Sequence, residues 1–184
     1  MTPDLEALRQ HLLRHAVRTG DFLLKSGVRS SYFIDAKQTT CRPDGMVLVT
    51  DAVLSAIPDD ADAIGGLTMG ADAIAFGSAA VAATRGRSLR AFSVRKEMKD
   101  HGGGGRVAGV LEPGDRVVIT EDAVTRGVSP LEAAKVVRDA GADPVLILAL
   151  VDRGGTCEAM AASEGIAFKA LVTAPDLGFP YEGG

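Results

Sequence analysis

Apolar residues recur at helical spacing at the start of the chain and in short, strand-like pieces after it. Leucines recur at helical spacing from Leu5 to Leu13 and Gly20 stops the pattern, which predicts a first helix over residues 3–18. Segment 21–37 instead contains short apolar and aromatic pieces broken by Ser-Gly and Ser-Ser. That pattern is typical of two strands joined by a turn.

A helix is predicted to follow Pro43, and from about residue 61 the chain alternates between strand and helix patterns. In chain order the pattern predicts strand 61–68, helix 71–84, strand 89–94, strand 116–120, helix 129–140, strand 144–151, helix 157–163 and strand 166–172. Such alternation predicts an α/β fold with a central, mainly parallel sheet flanked by helices. We expect one domain over residues 1–184, in which 1–60 contribute an N-terminal helix and a small hood and 61–175 form the core sheet.

Composition and charge narrow the class of function. The net charge is −4 and the isoelectric point is about 5.4, so nothing in the balance favours nucleic acid or an anionic membrane as a partner. No apolar run approaches membrane-spanning length, and the N-terminus does not resemble a signal peptide. Cys41 and Cys157 form neither a disulfide framework nor a zinc pattern, which fits a reducing cytoplasm. A small-molecule role is therefore expected.

Segment 117–129, VVITEDAVTRGVS, has the strongest chemical pattern in the chain. A predicted buried strand runs into Glu121 and Asp122, the acid pair, and then into a loop. Ser129 and Glu132 fit a capping box, so a helix is expected to begin there. Strand, loop and helix would form a βαβ unit whose loop lies at the carboxyl edge of the sheet, where open α/β folds bind ligands.

The loop after the acid pair suits a phosphate. It comprises Thr125, Arg126, Gly127, Val128 and Ser129. Backbone N–H groups, hydroxyls and the positive end of the following helix favour an anion there. The loop matches neither common nucleotide-binding glycine motif. Carboxylates repel a phosphate but accept hydrogen bonds from a ribose diol, so a phosphorylated ribose is the expected ligand.

With its four mainly apolar residues, two acids and a Thr-x-Gly loop, segment 117–129 resembles the signature of type I phosphoribosyltransferases that binds 5-phosphoribosyl 1-pyrophosphate (PRPP). Segments 22–37, 95–105 and 151–153 resemble the other signatures of orotate phosphoribosyltransferases, in the same order. The resemblance covers nearly the whole chain. It implies that orotate and PRPP give orotidine 5′-monophosphate and pyrophosphate, with Mg2+, in pyrimidine biosynthesis.

The basic, glycine-rich run from 95 to 106 has two interpretations. It contains Arg95, Lys96, Lys99, His101 and Arg106. Its composition fits either a solvated flexible linker or a mobile basic flap that closes over a polyanion. The resemblance favours the flap, in which Lys99 and His101 contact pyrophosphate while Arg95 and Lys96 hold phosphate groups. It also makes Lys99, His101 and Asp122 the catalytic residues, with the acid pair on the ribose diol.

The remaining candidates concern the nucleobase. By resemblance, Lys25 reaches the reacting substrates and Phe33 packs on the orotate ring. Arg153 follows the apolar strand 145–151, so a parallel sheet places it at the same edge as the acid pair. A guanidinium can hold a carboxylate through two parallel hydrogen bonds, and orotate differs from uracil by a carboxylate.

Three positions depart from the family pattern. Arg126 is bulkier than the usual threonine or alanine, and Val128 stands where glycine or threonine is common. One branch of the family carries a pyrophosphate-binding lysine where this chain has Met69 and Gly70. We expect backbone N–H groups of residues 68–71 to hold pyrophosphate instead. No side chain is predicted as a direct metal ligand, because Mg2+ would bind mainly through PRPP.

Two other functions remain open at this point. The chain could transfer phosphoribose to another base, although Arg153 argues against a purine. It could also be a PRPP-sensing regulator that binds RNA or DNA on the same fold, although much of its clustered positive charge lies in the expected flap. The resemblance implies a homodimer whose basic loop is shared across subunits, without nucleic-acid or membrane partners.

Overall fold

The computed structural model describes residues 2–23, 29–98 and 105–182. The helices are α1 (Leu5–His15), α2 (Lys37–Thr40), α3 (Pro43–Ala56), α4 (Asp72–Thr84), α5 (Val128–Asp139) and α6 (Cys157–Ser163). The strands are β1 (Val17–Leu23), β2 (Arg29–Ile34), β3 (Ala63–Leu67), β4 (Arg90–Val94), β5 (Val107–Gly109), β6 (Arg116–Val124), β7 (Asp143–Asp152) and β8 (Ala167–Thr173). A 3-10 turn follows at Pro175–Leu177.

A six-stranded sheet with the order β5-β4-β3-β6-β7-β8 forms the centre of the molecule. Strands β4, β3, β6, β7 and β8 are parallel, and β5 pairs antiparallel with β4 at one edge. The predicted α/β fold with a mainly parallel sheet is thus confirmed. Strands β6 and β7 are almost entirely buried, which explains the continuous apolar run from 144 to 151 in β7.

Side chains of the sheet alternate between two hydrophobic clusters, one on each face. On β6, Val118 joins the cluster formed with α1, α3 and α4, whereas Val117 and Ile119 join the cluster formed with α5 and α6. Leu148 and Ile147 divide in the same way on β7. Each face of the sheet is therefore covered by helices, because a parallel strand needs apolar partners on both sides.

The N-terminal elements pack onto this sheet. Strands β1 and β2 form a separate antiparallel ribbon, the hood. Tyr32 and Ile34 of the hood are buried in the same cluster as Val118 of the central sheet. The shared cluster supports the proposal that residues 1–184 form one domain, with 1–60 as helix and hood and 61–175 as core.

Several element boundaries differ from the sequence prediction. Helix α1 ends at His15 rather than at 18, because Val17 already pairs with Ile34 of β2. Asp4 begins this helix, and its side chain accepts a hydrogen bond of 2.8 Å from the Ala7 N–H. The sequence pattern did not predict three short elements, which are α2, β5 and the 3-10 turn. In the described part of the chain, no helix is both long and apolar enough to cross a membrane.

Candidate active site

The acid pair lies inside strand β6 rather than in the loop after it. Glu121 and Asp122 are only 6% and 7% exposed. The prediction that the strand ends at residue 120 was wrong, because β6 continues in parallel register with β7 until Val124 faces Asp152. Two carboxylates are therefore held on the backbone of a central strand, near the carboxyl edge of the sheet.

A lysine from another element contacts this acid pair. The Nζ atom of Lys37, the first residue of α2, lies 2.6 Å from Oδ2 of Asp122. The other oxygen of Asp122 accepts a hydrogen bond of 2.9 Å from the Ala123 N–H. Partial burial lowers the pKa of Lys37, but the bond to Asp122 and its charge raise that pKa overall. Asp122 is thus held by a cation and a backbone donor.

Glu121 differs from its neighbour in protonation. Burial, followed by the negative charge of Asp122, raises the pKa of Glu121 to about 8. Its Oε1 accepts a hydrogen bond of 3.1 Å from the Asp122 N–H. Near neutral pH Glu121 is mostly protonated, and Lys37 balances the charge of Asp122. The acid pair consequently presents hydrogen-bonding groups with little net negative charge.

A cavity of about 320 Å³ opens over the acid pair. Its lining consists of Lys37, Leu67, Thr68, Met69, Gly70, Lys96, Glu121, Asp122 and Ser129. A Cβ at Gly70 would lie 2.6 Å from Oδ1 of Asp122 and would also clash with Glu121. The absence of a side chain at residue 70 therefore lets this backbone approach the carboxylate groups of the acid pair closely.

The loop from 68 to 71 offers fewer backbone donors than expected. The Thr68 N–H donates to the Val94 carbonyl at 2.8 Å, and the Ala71 N–H donates to the Leu67 carbonyl at 3.3 Å. Only the N–H groups of Met69 and Gly70 are without a bond to other described residues. The expectation of four available donors was therefore wrong: two are already used to shape the loop.

The predicted phosphate loop starts its helix earlier than the sequence suggested. Helix α5 begins at Val128, with Gly127 as its N-cap at a φ of 78°. A Cβ on Gly127 would lie 2.7 Å from Sγ of Cys157, so conformation and packing both require glycine. The capping box was wrong: Ser129 lies within the first turn, and Glu132 contacts Arg106 instead.

The unusual residues of this loop face solvent. Arg126 is exposed and Val128 is 63% exposed. The Thr125 carbonyl accepts a hydrogen bond of 3.0 Å from the Thr156 hydroxyl, which ties the loop to the start of α6. The two departures from the family pattern therefore alter the surface of the loop, while its backbone is fixed by glycine and by this tie.

Only part of the predicted basic flap is described. Lys99 and His101 lie outside the described residues. The Arg95 N–H donates to the Arg106 carbonyl at 2.7 Å, and Nε of Arg106 donates back to the Arg95 carbonyl at 2.7 Å. These bonds join the two ends of the basic run, and Lys96 reaches the lining of the cavity.

The predicted nucleobase residues Phe33 and Arg153 lie together. The guanidinium carbon of Arg153 is 5.8 Å from the centre of the Phe33 ring and 5.3 Å from that of Tyr32. Arg153 is only 7% exposed, and its guanidinium is paired with Glu182. Lys25 lies outside the described residues. An arginine stacked on aromatic rings suits a flat, carboxylate-bearing ligand.

Three residues of this region were missed by the sequence analysis. Lys37 ends the recognised segment 22–37, so its place in that segment was the available signal. Tyr32 adjoins the predicted Phe33. Glu182 carries no local signal, because its contact with Arg153 joins residues 29 positions apart.

Known proteins share this sequence and fold. No family model matches the chain. It is 38% identical over 181 residues to an orotate phosphoribosyltransferase of Synechocystis sp., covering 96% of this chain and 91% of that one. It is 41% identical over 174 residues to an orotate phosphoribosyltransferase of Streptomyces avermitilis, covering 94% and 96%.

Solved structures agree with the sequence relatives. A crystal structure of Mycobacterium tuberculosis orotate phosphoribosyltransferase in complex with Fe(III) dicitrate has a TM-score of 0.83 and 32% identity, covering 96% of this chain and 100% of that one. A crystal structure of the same protein in complex with PRPP has a TM-score of 0.79 and 28% identity, with the same coverage. Both similarities extend over nearly the whole of the chain.

The protonation of Glu121 predicts a pH dependence of stability. Between about pH 4.5 and pH 8 the folded state holds a proton that the unfolded state has released, so the free energy of unfolding should fall as pH rises. Glu121→Gln should remove this contribution, which has a slope of at most about 1.4 kcal/mol per pH unit. Urea unfolding at pH 5, 6.5 and 8 measures it.

The exposed Glu158 provides the control for this experiment. Glu158→Gln should keep the slope of the parent chain. Equal slopes for the parent and Glu121→Gln would contradict a protonated Glu121.

Proposed function

The chain belongs to the orotate phosphoribosyltransferase family, and we infer that it transfers the phosphoribosyl group of PRPP to orotate, which yields orotidine 5′-monophosphate and pyrophosphate in pyrimidine biosynthesis. The observation that carries this inference is the acid pair, paired with Lys37 on the floor of a cavity. The floor of the cavity thus combines acids that can bind a diol with a lysine that suits a polyanion.

One orientation of PRPP in the cavity agrees with the positions of the acid pair and Lys37. We propose that its ribose diol bonds to Glu121 and Asp122 and that its 5′-phosphate occupies the loop from Thr125 to Ser129, at the start of α5. The pyrophosphate would then lie near Lys37, Lys96 and the backbone N–H groups of Met69 and Gly70. Lys37 supports this orientation because it touches the acid pair and lines the cavity.

The reaction needs charge stabilisation rather than a covalent nucleophile. The bond between the anomeric carbon and the pyrophosphate oxygen breaks, so positive charge grows on the sugar and negative charge on the leaving group. Asp122 faces the positive sugar, while Lys37 and Lys96 face the leaving group. We propose that Arg95 and the flap residues Lys99 and His101 complete this cationic side and exclude water. An orotate nitrogen then forms the new bond to the anomeric carbon.

Mg2+ is the proposed cofactor. It prefers oxygen ligands and is usually bound through substrate phosphates and one or two carboxylates. In the cavity Glu121 holds a proton and Asp122 is already paired with Lys37, so the substrate phosphates are the better donors. We therefore propose that Mg2+ binds mainly through PRPP, where it neutralises pyrophosphate charge.

Orotate is proposed to bind against the hood. Phe33 would stack on the pyrimidine ring and Arg153 would hold the carboxylate, with Lys25 reaching the reacting atoms. The stacked, buried guanidinium of Arg153 supports this assignment, because burial strengthens a charged hydrogen bond.

Compartment and assembly are further proposals. Cys41 and Cys157 are both free thiols, which is compatible with a reducing cytoplasm. We propose a homodimer in which the loop carrying Lys99 serves the site of the partner subunit, without nucleic-acid or membrane partners.

The central experiment follows orotate absorbance with PRPP and Mg2+. Absorbance should decrease only when both substrates are present, and excess EDTA should stop the reaction because the leaving group is a polyanion. Adenine, hypoxanthine and uracil form the comparison panel. Faster PRPP consumption with a purine than with orotate would contradict the proposed function, and full turnover in EDTA would remove the metal from it.

Lys37 should matter for PRPP more than for orotate. Lys37→Met removes a cation from Asp122 and from the pyrophosphate side, so kcat/KM for PRPP should fall about tenfold, near the lower end for a charged hydrogen bond because Lys37 is half exposed. Lys37→Arg should recover part of the loss. Lys135→Met, on the exposed side of α5, is the control. An equal fall for both substrates would indicate a structural role.

Mixing two inactive variants tests the shared site. Lys99→Ala and Asp122→Ala subunits are allowed to exchange, which makes about half of the dimers mixed. Each mixed dimer has one site with neither lesion, so activity should return to roughly a quarter of the parent level. If exchange is verified and the mixture stays inactive, the loop serves its own subunit.

A further inference from the structure

A short segment after the 3-10 turn covers the place proposed for orotate. Phe179 stacks on Tyr32 with ring centres 4.5 Å apart, and the Tyr32 hydroxyl donates to the Pro180 carbonyl at 2.8 Å. The Tyr181 ring lies against Gly155, where an added Cβ would meet it at 3.0 Å. We call Phe179–Glu182 the covering segment. Its contacts hold it across the hood and the loop after β7.

The covering segment ends in a carboxylate that occupies Arg153. One oxygen of Glu182 accepts a hydrogen bond from the Arg153 guanidinium, and the other accepts one from the Ser30 hydroxyl. The Glu182 N–H also donates to the Arg153 carbonyl at 2.8 Å. Both charged side chains are about nine-tenths buried. The guanidinium therefore already has an internal anionic partner.

We propose that Glu182 is an internal competitor of orotate: its carboxylate takes the place of the orotate carboxylate on Arg153, and the covering segment must move before orotate binds. This inference rests on the proposed function, because it takes Arg153 as the group that receives orotate.

Charge balance argues that the two carboxylates exclude each other. One guanidinium can compensate one buried carboxylate, and a second one beside it would remain an uncompensated buried charge. Binding orotate with Glu182 in place would therefore be strongly unfavourable. Exchange of one carboxylate for the other keeps the charge of the site constant.

The hydrogen bonds of the Arg153 guanidinium explain how orotate could displace Glu182. Its Nε is buried and has no hydrogen-bond partner among the described residues. Glu182 accepts from the terminal nitrogen Nη2, since its second oxygen is used by Ser30. A free carboxylate can accept from both nitrogens in parallel, which is the stronger arrangement. Orotate would therefore satisfy a donor that Glu182 leaves unpaired.

Kinetics of Glu182→Gln test the competition. The apparent affinity of a ligand is reduced by the fraction of protein in which its site is closed. Weakening the closed state should therefore lower the KM for orotate, at saturating PRPP, by about five- to tenfold without lowering kcat. Tyr181→Ala should shift KM in the same direction, because it loosens the segment and leaves the charge in place. Glu164→Gln is the matched control, since Glu164 pairs with Arg138 on the surface.

Hydrogen exchange gives a readout that does not depend on turnover. Orotidine 5′-monophosphate should speed exchange of the N–H groups of Phe179 and Glu182 in the parent chain, since these are bonded to the Ala174 and Arg153 carbonyls. Ribose 5-phosphate, which has no carboxylate, should leave them protected. Unchanged or slower exchange with orotidine 5′-monophosphate would overturn the proposal, because the segment would then stay in place.

The kinetic outcomes separate this proposal from the proposed function. A higher KM for orotate in Glu182→Gln would mean that Glu182 positions Arg153 for the substrate, and an unchanged KM would mean that it does not compete. Either result overturns the competition while the parent enzyme still consumes orotate. If the parent chain consumes no orotate with PRPP and Mg2+, the proposed function itself fails and the competition fails with it.

Discussion

The burial of two adjacent carboxylates in a central strand is the constraint on which the site depends. Two charged acids at that position would repel each other and lack water, so their charges must be reduced. Glu121 achieves this through a raised pKa, and Asp122 through its contact with Lys37. This solves a problem that the sequence raises, because a phosphate loop beside two full negative charges would bind its ligand poorly. With Glu121 protonated and Asp122 paired with Lys37, the acids can face a sugar without repelling its phosphates.

The same constraint shapes the backbone around the cavity. Gly70 lets its backbone lie close to both carboxylates. The lysine that one branch of the family carries in this loop is absent at Met69 and Gly70, so positive charge in the cavity comes from elsewhere. Lys37 and Lys96 supply it from α2 and from the end of β4. The cations of the cavity thus lie on other segments than the loop with Met69 and Gly70.

A second buried charge pair controls the other side of the proposed site. Arg153 stacks on the hood and is held by Glu182, so that the protein never leaves this guanidinium without a partner. A buried cation that awaits an anionic substrate would otherwise have to stay hydrated or destabilise the fold. An internal carboxylate gives the free protein a stable closed state. Under the proposed competition, access of orotate to Arg153 depends on release of the covering segment.

The sequence by itself determined the alternation of strands and helices, the acid pair and the family segments, because apolar periodicity and motif order are local properties. Only the tertiary structure decided where elements end and which side chains meet. Strand β6 continues through Glu121 because β7 pairs with it, and α5 begins at Val128 after Gly127, whose backbone packs against Cys157. The contact of Lys37 with Asp122 spans 85 positions and that of Ser30 with Glu182 spans 152. Such contacts depend on how the sheet and hood bring distant segments together, which no local pattern of residues specifies.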